Sequence, residues 1–573
     1  MDTVSNEYDL TLDEFIKLPT TVDFAFVNTD RFKLFVKDKP YIKLGTEMAN
    51  EMIVLYTNKD NIPKLFEELG NDFEEFFPKI MSPMDSKSND ASGITRVQNQ
   101  PFIKLTGKDV IIAFVDTGID YTKDAFRFDD GSTKILYLWD QTIDGNRPDY
   151  LYFGSVYTHE DINKALNHEN PYEIVPSIDE DGHGTFMASV AASNEKGEYI
   201  GAAPEAYIMA VKLRRANDYY IEKFLLPKEN PNLYESTDYI LGMKYIFDRS
   251  EELNLPIVMC ITMGSNFSGH DGDTLFEQYI DYGAQRAGYA YVVAAGNESN
   301  ARHHAQGKIV KTRATDTFSI NVGKQDESFP LFIYSSAYDK ISLSIASPTS
   351  EVISRIPFKV GFKYEQKLIS ENTTISIEYY KCSSNIAFIG FKNATKGIWD
   401  IQLFGDAIID GDYFVWLPVT GQVSPYIELF KPSPQYTIVY PGNGFKSITC
   451  GAYNSNDKSL YVSSSWGPTR LPRMAPDLVA PGVGVQGIYP TGTGSKTGTS
   501  VAAAITAGAT ALLFEWSIVQ GNIPSMDGEL VKTFLISGAG RDENRIYPNI
   551  KWGYGRLDLY GSFNAIKESI VAY

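Results

Sequence analysis

The chain has 573 residues, 43% hydrophobic and 22% charged, which reads as a soluble globular protein too long for one ordinary domain. Its net charge of −20, from 72 acidic against 52 basic residues, repels polyanions, so neither nucleic acid nor an anionic membrane is expected as a partner. Three scattered cysteines, Cys260, Cys382 and Cys450, exclude a disulfide framework and a zinc cluster; Cys260 and Cys450 lie in apolar runs and read as buried thiols. The opening MDTVSNEYDLTLDEF is acidic, without a basic stretch followed by an apolar one, so no secretory signal is expected. No run of about 20 apolar residues predicts a membrane span.

In chain order, TVDFAFV (21–27), FKLFVK (32–37) and MIVLYT (52–57) predict strands. IPKLFEELGNDFEEFF (62–77) predicts an amphipathic helix. SPMDSKSNDAS (82–92) has no periodicity and reads as an exposed linker. DVIIAFVD (109–116) is then continuously apolar, as a strand buried on both faces would be. Helices follow over 184–193, 236–253 and 274–287, interleaved with strands over 206–213, 256–262 and 289–295. That alternation predicts an α/β unit with a mostly parallel sheet and helices on both faces. From 301 to 435 the grammar becomes short alternating strands (FSINVG, KISLSIA, TTISIEYY, NIAFIGF, IWDIQLF, DYFVWLPV, YIELF), the pattern of an inserted antiparallel sandwich or jelly roll. The α/β grammar resumes at 436 and ends in helices over 500–519 and 528–537. The expected parts are therefore 1–86, 87–300, 301–435 and 436–573.

Four segments carry chemistry. FVDTGID (114–120) places Asp116 where a buried strand meets a glycine turn, at the end of a parallel strand that borders a crevice. DGHGTFMASVAAS (181–193) sets His183 between two glycines at a helix start. KTGTSVAAAITAGATALL (496–513) puts Ser500 at the N-terminus of a buried helix, whose positive end would face an oxyanion. A nucleophile, a base and a carboxylate that fixes the base suffice for amide hydrolysis. VVAAGNES (292–299) supplies Asn297, a carboxamide that would donate to the tetrahedral intermediate. The expectation is a single hydrogen-bonded line through Asp116, His183 and Ser500.

These boxes, in the order VDTGID, DGHGT, AAGNE and GTSVAA, resemble the signature of the subtilases, and the order Asp, His, Ser is that of subtilisin. YPGNGFKSITCGA, SSSWGPT and APDLVAPG extend the resemblance; Ala504 stands where family members often carry proline. A closer similarity is to the clostridial Csp germination proteases, through SGITRVQNQP, VDTGIDYTKDAF, the insert, GTSVAAAITAGATALL and WGYGRLDLYGSF. The resemblance implies a subtilisin-like serine endopeptidase with an N-terminal α+β prodomain and a jelly-roll insert. It implies self-cleavage within 83–90, near Ser86, with the prodomain kept in the cleft. It implies a protein substrate, the precursor of a spore-cortex hydrolase, and synthesis in the cytoplasm followed by incorporation into the spore. A pseudoprotease that signals or scaffolds, and a vegetative intracellular subtilase, remain alternatives.

In subtilases, Thr262, Met263 and Gly264, with Ala295 and Gly296, would wall the substrate pocket, where a peptide could pair as an added strand. PGVGVQG (481–487) contains GxGxxG but leads into no helix and reads as a loop, and GTGSKTGTS (492–500) is not a P-loop. His303 and His304 read as a solvated loop rather than a metal site. Subtilases often bind calcium, but no oxygen-ligand loop forms around Asp140, Asp179 and Glu180, so no cofactor or metal is expected.

Overall fold

The structure is a computed structural model describing residues 10–571, apart from 17, 19, 28, 49–51, 70–86, 101–103, 149–150, 152, 195–199, 382 and 472. It divides into two compact units, Met1–Pro83 and Met84–Tyr573.

The first unit is a three-stranded antiparallel sheet, Thr21–Val27, Met52–Asn58 and Lys43–Met48 in spatial order, with helices Asp30–Val36 and Ile62–Leu69. Of residues 32–37, expected as a strand, 32–36 are instead helical. Thr29 caps this helix by accepting from the Phe32 N–H, and Phe32, Phe35 and Val36 fall on one helical face against the core of Ile53, Leu55 and Leu65. Local alternation suggested a strand; cap and i, i+3, i+4 spacing make a helix. Residues 70–77 of the expected long helix lie outside the described residues, as does Ser86.

The second unit begins with helix Lys87–Ala91, so the expected linker is not wholly exposed. Ser88, Asn89 and Ser92 are buried, and the Asn89 carboxamide donates to the Ile200 carbonyl. Polar residues look like linker until their partners, more than 100 positions away, are known.

The centre of this unit is an eight-stranded sheet in the spatial order Leu478–Pro481, Ile448–Tyr453, Tyr289–Ala294, Ile257–Ile261, Ile111–Asp116, Tyr207–Lys212, Ile135–Asp140, Ser155–Thr158. All neighbours are parallel except the last pair. Every residue of Ile111–Asp116 is buried, because helices cover both faces. Ile112, Phe114, Val258 and Val292 face helices His183–Ala192 and Thr499–Phe514; Ile111, Ala113, Val115, Met259 and Val293 face helices Ser236–Leu253 and Leu275–Gly283. Helix Thr499–Phe514, continued as a π turn to Val519, is long and apolar enough to cross a membrane by composition, yet 89% of that window is buried in this core. Cys260 and Cys450 are free buried thiols, and burial pushes the Cys450 thiol up to about 12.

The insert runs from His304 to Leu429 as two antiparallel sheets of six and five strands, enclosing a core that includes Leu331, Ile389, Trp399 and Val415. No helix interrupts it among the described residues. It meets the α/β part through aromatic residues: Phe332, Phe388, Phe414 and Trp416 pack with Phe224 and Phe267. His303 and His304, expected in solvent, are 6% and 1% exposed. His304 starts a strand and stacks on Trp416 at 4.8 Å, with His270 on the same indole at 4.1 Å. PGVGVQG is not a free loop either. Val485–Tyr489 pairs with Gly492–Lys496 as a hairpin leading to Ser500.

Candidate active site

Three adjacent parallel strands end at one edge of the sheet, with Asp116 the last residue of its strand and Thr262 and Asn297 one and three residues past the ends of theirs. Two helix starts deliver the remaining groups: His183 is the first residue of its helix and Ser500 the second of its own. Open α/β sheets form ligand crevices at this edge.

Asp116 is 1% exposed. Its Oδ1 accepts from His183 Nδ1 at 2.8 Å and from the Thr117 N–H at 2.7 Å, while its Oδ2 accepts from the Thr262 hydroxyl at 2.5 Å. Burial alone would raise the carboxyl's pKa, but the His183 charge and these hydrogen bonds outweigh it and leave it below the usual range. Because Nδ1 faces an ionised acceptor, it carries the ring proton, which leaves Nε2 with a lone pair. For His183, burial opposes the charged ring, yet the charge and hydrogen bond of Asp116 raise its pKa above 6.5.

His183 is held by the backbone around it. Asp179, 2% exposed, accepts from the N–H groups of Gly182 and Thr185 and from the hydroxyls of Thr117 and Thr185. This clamp ties the helix start to the turn after Asp116. Gly184 allows the close approach: a Cβ there would stand 2.1 Å from the Gly118 carbonyl oxygen. Asp179 is thus a positioning residue, while Asp140 accepts from Ser177 and Thr142, and Glu180 pairs with Lys212. Among the described residues, no group of three or more His, Cys, Asp or Glu is placed to hold a metal ion.

Ser500 reaches the same site, but its hydroxyl donates to the Thr262 carbonyl at 3.1 Å rather than to the imidazole. The expected line therefore departs at its last link. With no substrate in the cleft, the carbonyl at the end of strand Ile257–Ile261 is the acceptor in reach, and such bonds commonly tighten only in the complex. Thr262 is the bridge that sequence reasoning missed, holding Asp116 by its hydroxyl and Ser500 by its carbonyl.

Asn297 is exposed, and its oxygen accepts from the backbone N–H of Thr499 at 3.0 Å. That donor fixes the amide's orientation, so the NH₂ group points away from Thr499, free to donate beside the start of the Ser500 helix. Its neighbour Glu298 is 4% exposed and accepts from His303 Nδ1 at 2.7 Å and from the Thr420 N–H at 3.0 Å. The insert thus grips the loop that carries Asn297. Thr262–Gly264 and Ala295–Gly296, the segments expected to wall the substrate pocket, follow directly on the neighbouring strands Ile257–Ile261 and Tyr289–Ala294.

A carboxylate-oriented imidazole, a hydroxyl at a helix start and a poised carboxamide define the class, and the chain belongs to the subtilase family. The model of the Subtilase family matches residues 107–401 and 420–555. Within that class, a similar solved structure is the CspB protease of Clostridium perfringens, 31% identical, with a TM-score of 0.74 over 84% of this chain and 98% of that one. Subtilisin-like protease 3 of Pseudogymnoascus destructans is 25% identical over 290 residues, 49% of this chain and 64% of that protein. Fervidolysin of Fervidobacterium pennivorans is 23% identical over 306 residues, 52% of this chain and 35% of that protein. The chain spans less than two thirds of the length of these curated relatives.

Proposed function

We propose that the chain is a serine endopeptidase in which Ser500 is the nucleophile, His183 the general base and acid, Asp116 the group that orients His183, and Asn297 an oxyanion donor. The observation that carries this reading is one chain of contacts: His183 on Asp116, Asp116 and Ser500 both on Thr262, and Asn297 on the start of the Ser500 helix. Rotation of the Ser500 hydroxyl from the Thr262 carbonyl to His183 Nε2 readies the attack. Oγ then bonds to the substrate carbonyl carbon as its proton passes to Nε2. The carbonyl oxygen becomes an oxyanion that meets the Asn297 NH₂ and the positive end of helix Thr499–Phe514. Nε2 returns the proton to the leaving amine, the C–N bond breaks, and water releases the acyl group by the same steps in reverse roles.

The resemblance to the Csp germination proteases, supported by similarity to CspB over nearly its whole length, gives the proposal its finer part. The substrate is the precursor of a spore-cortex hydrolase, and the chain cuts itself near Ser86 and keeps residues 1–86 as a bound prodomain. It is carried in the spore. The test compares the purified chain with Ser500→Ala by gel and N-terminal sequencing. Cleavage near residue 86 in the first and an intact alanine variant are expected. A full-length unmutated chain that also fails to cut the precursor would favour the pseudoprotease reading.

A further inference from the structure

One end of the inserted sandwich gathers three loops, 309–314, 337–339 and 408–411. Asp339, fully buried, knits two of them together: its carboxylate accepts from the N–H groups of Ile409, Asp410 and Gly411 at 2.7, 3.1 and 2.8 Å. The third is tied in by the Ile309 N–H, which donates to the Gly411 carbonyl at 2.9 Å, and by the Thr312 hydroxyl, which accepts from the Ile408 N–H at 3.0 Å. Turns at the end of a sandwich usually present polar residues to water. Here each loop instead lifts one large apolar side chain into solvent: Val310 is 74% exposed, Tyr338 75% and Ile409 76%. Apolar residues scattered singly over a surface need no explanation. These three stand on loops bonded to one another and form one patch on a rigid base.

The charge at this end departs from that of the chain. Residues 308–314, 336–340 and 407–412 carry four bases (Lys308, Lys311, Arg313, Lys340) against three acids (Asp339, Asp410, Asp412), in a chain of net charge −20. Asp339 is buried, and Asp410 and Asp412 both face Lys308, at 3.9 and 2.9 Å. Lys311, Arg313 and Lys340 are exposed and form no salt bridge among the described residues. At an ionic strength of about 0.15 M, exposed charges more than about 8 Å away are largely screened. A surface that approaches this end therefore meets lysine and arginine rather than the acidic remainder of the chain. A second copy docked here about a two-fold axis would set the same three cations against themselves. An anionic lipid surface satisfies both parts of the patch. We propose that this end of the insert docks on a membrane containing anionic phospholipid, with Val310, Tyr338 and Ile409 entering the boundary between headgroups and acyl chains and Lys311, Arg313 and Lys340 meeting the phosphates. The net charge of −20, which argues against an anionic membrane, describes the average surface and not this end. The inference does not depend on the protease reading.

The experiment is flotation of the full chain with vesicles at about 0.15 M salt, once with phosphatidylcholine alone and once with about a third of it replaced by phosphatidylglycerol. The mixed vesicles are expected to carry the protein, and the pure ones to carry at least about tenfold less. Replacing Val310, Tyr338 and Ile409 together by serine should lower the partition onto mixed vesicles by about tenfold or more. Replacing Lys311, Arg313 and Lys340 together by glutamine should remove the difference between the two vesicles. Thermal unfolding checks that each variant folds, and Ile409→Ser alone, at a loop tip, should shift the partition in the same direction if the triple variant does not. Ser500→Ala should float like the unmutated chain, so a failure of the protease assignment leaves this result untouched. An unmutated chain that stays with neither vesicle overturns the proposal, as does a folded serine variant that binds as well as the unmutated chain. Self-association that the serine substitutions abolish, without flotation, would overturn it in favour of a second copy.

Discussion

The Thr262 hydroxyl holds one oxygen of Asp116 while the other meets His183, so the carboxylate has no unsatisfied direction and stays ionised. This sets the pH response. Asp116 raises the His183 pKa above 6.5 despite burial, and a general base must be neutral. Activity is therefore expected to rise with pH through a midpoint above 6.5, read from the acid limb of kcat/KM. Asp116→Asn should move that midpoint down and cut kcat by about 10⁴-fold. Asn297→Ala should lower kcat by about 10²–10³ with a small change in KM. The four candidate residues could be picked out because each stands in a short box whose glycines and strand or helix ends mark it locally. Asp179, Glu298 and the double role of Thr262 could not. Each takes at least one partner from far along the chain, Thr117 for Asp179, Thr420 for Glu298 and, 238 positions away, Ser500 for Thr262, and such bonds leave no local pattern.

Strand ends and helix starts position the site, and the insert braces one of them. Glu298 ties the Asn297 loop to His303 and Thr420, so Glu298→Gln should weaken that brace. The expected result is a fall in kcat of roughly tenfold, smaller than for Asn297→Ala, with KM little changed and unfolding still cooperative. The joint between the insert and the α/β part is sensitive to acid. His270 and His304 sandwich against Trp416, each giving its Nδ1 proton to a backbone carbonyl. Burial lowers their pKa values to about 4 and about 3; Asp271 pulls His270 back up, and Arg470 pushes it further down. Both rings are thus neutral in the folded protein at pH values where an unfolded chain has already protonated them. The stability they allow is complete above about 6.5 and is lost as the pH falls from there toward 4 and 3. Thermal unfolding between pH 7 and 4 should show this loss. His270→Gln or His304→Gln should flatten it relative to the unmutated chain, even if stability at pH 7 is lower.

For the molecule as a whole, the α/β alternation was legible because each strand of the central sheet is apolar throughout and each helix has its own period. The insert was legible because the period changes to two at 301. Helix Asp30–Val36 was not, since its Phe-Lys-Leu-Phe run satisfies both periods and only the Thr29 cap decides. The aromatic joint also escaped the sequence, because aromatic residues on the outer face of a sheet look like ordinary strand residues until a second body covers them. Trp416, fully buried there, is expected to matter to the whole unit. Trp416→Ala should destabilise it by roughly 3–5 kcal/mol, read as a shift in the urea midpoint.

The position of the insert in the chain governs the order of events on the ribosome. Strand Tyr289–Ala294 pairs with Ile448–Tyr453, and the whole sandwich lies between them. At a translation speed of about 5–20 residues per second, the edge of the growing sheet waits on the order of ten seconds for its next neighbour. The sandwich encloses a core of its own and can close during that interval. The serine helix emerges later still, so a nascent chain that has not reached residue 499 holds the proposed base and carboxamide but not the proposed nucleophile, and the expected activity waits on that helix.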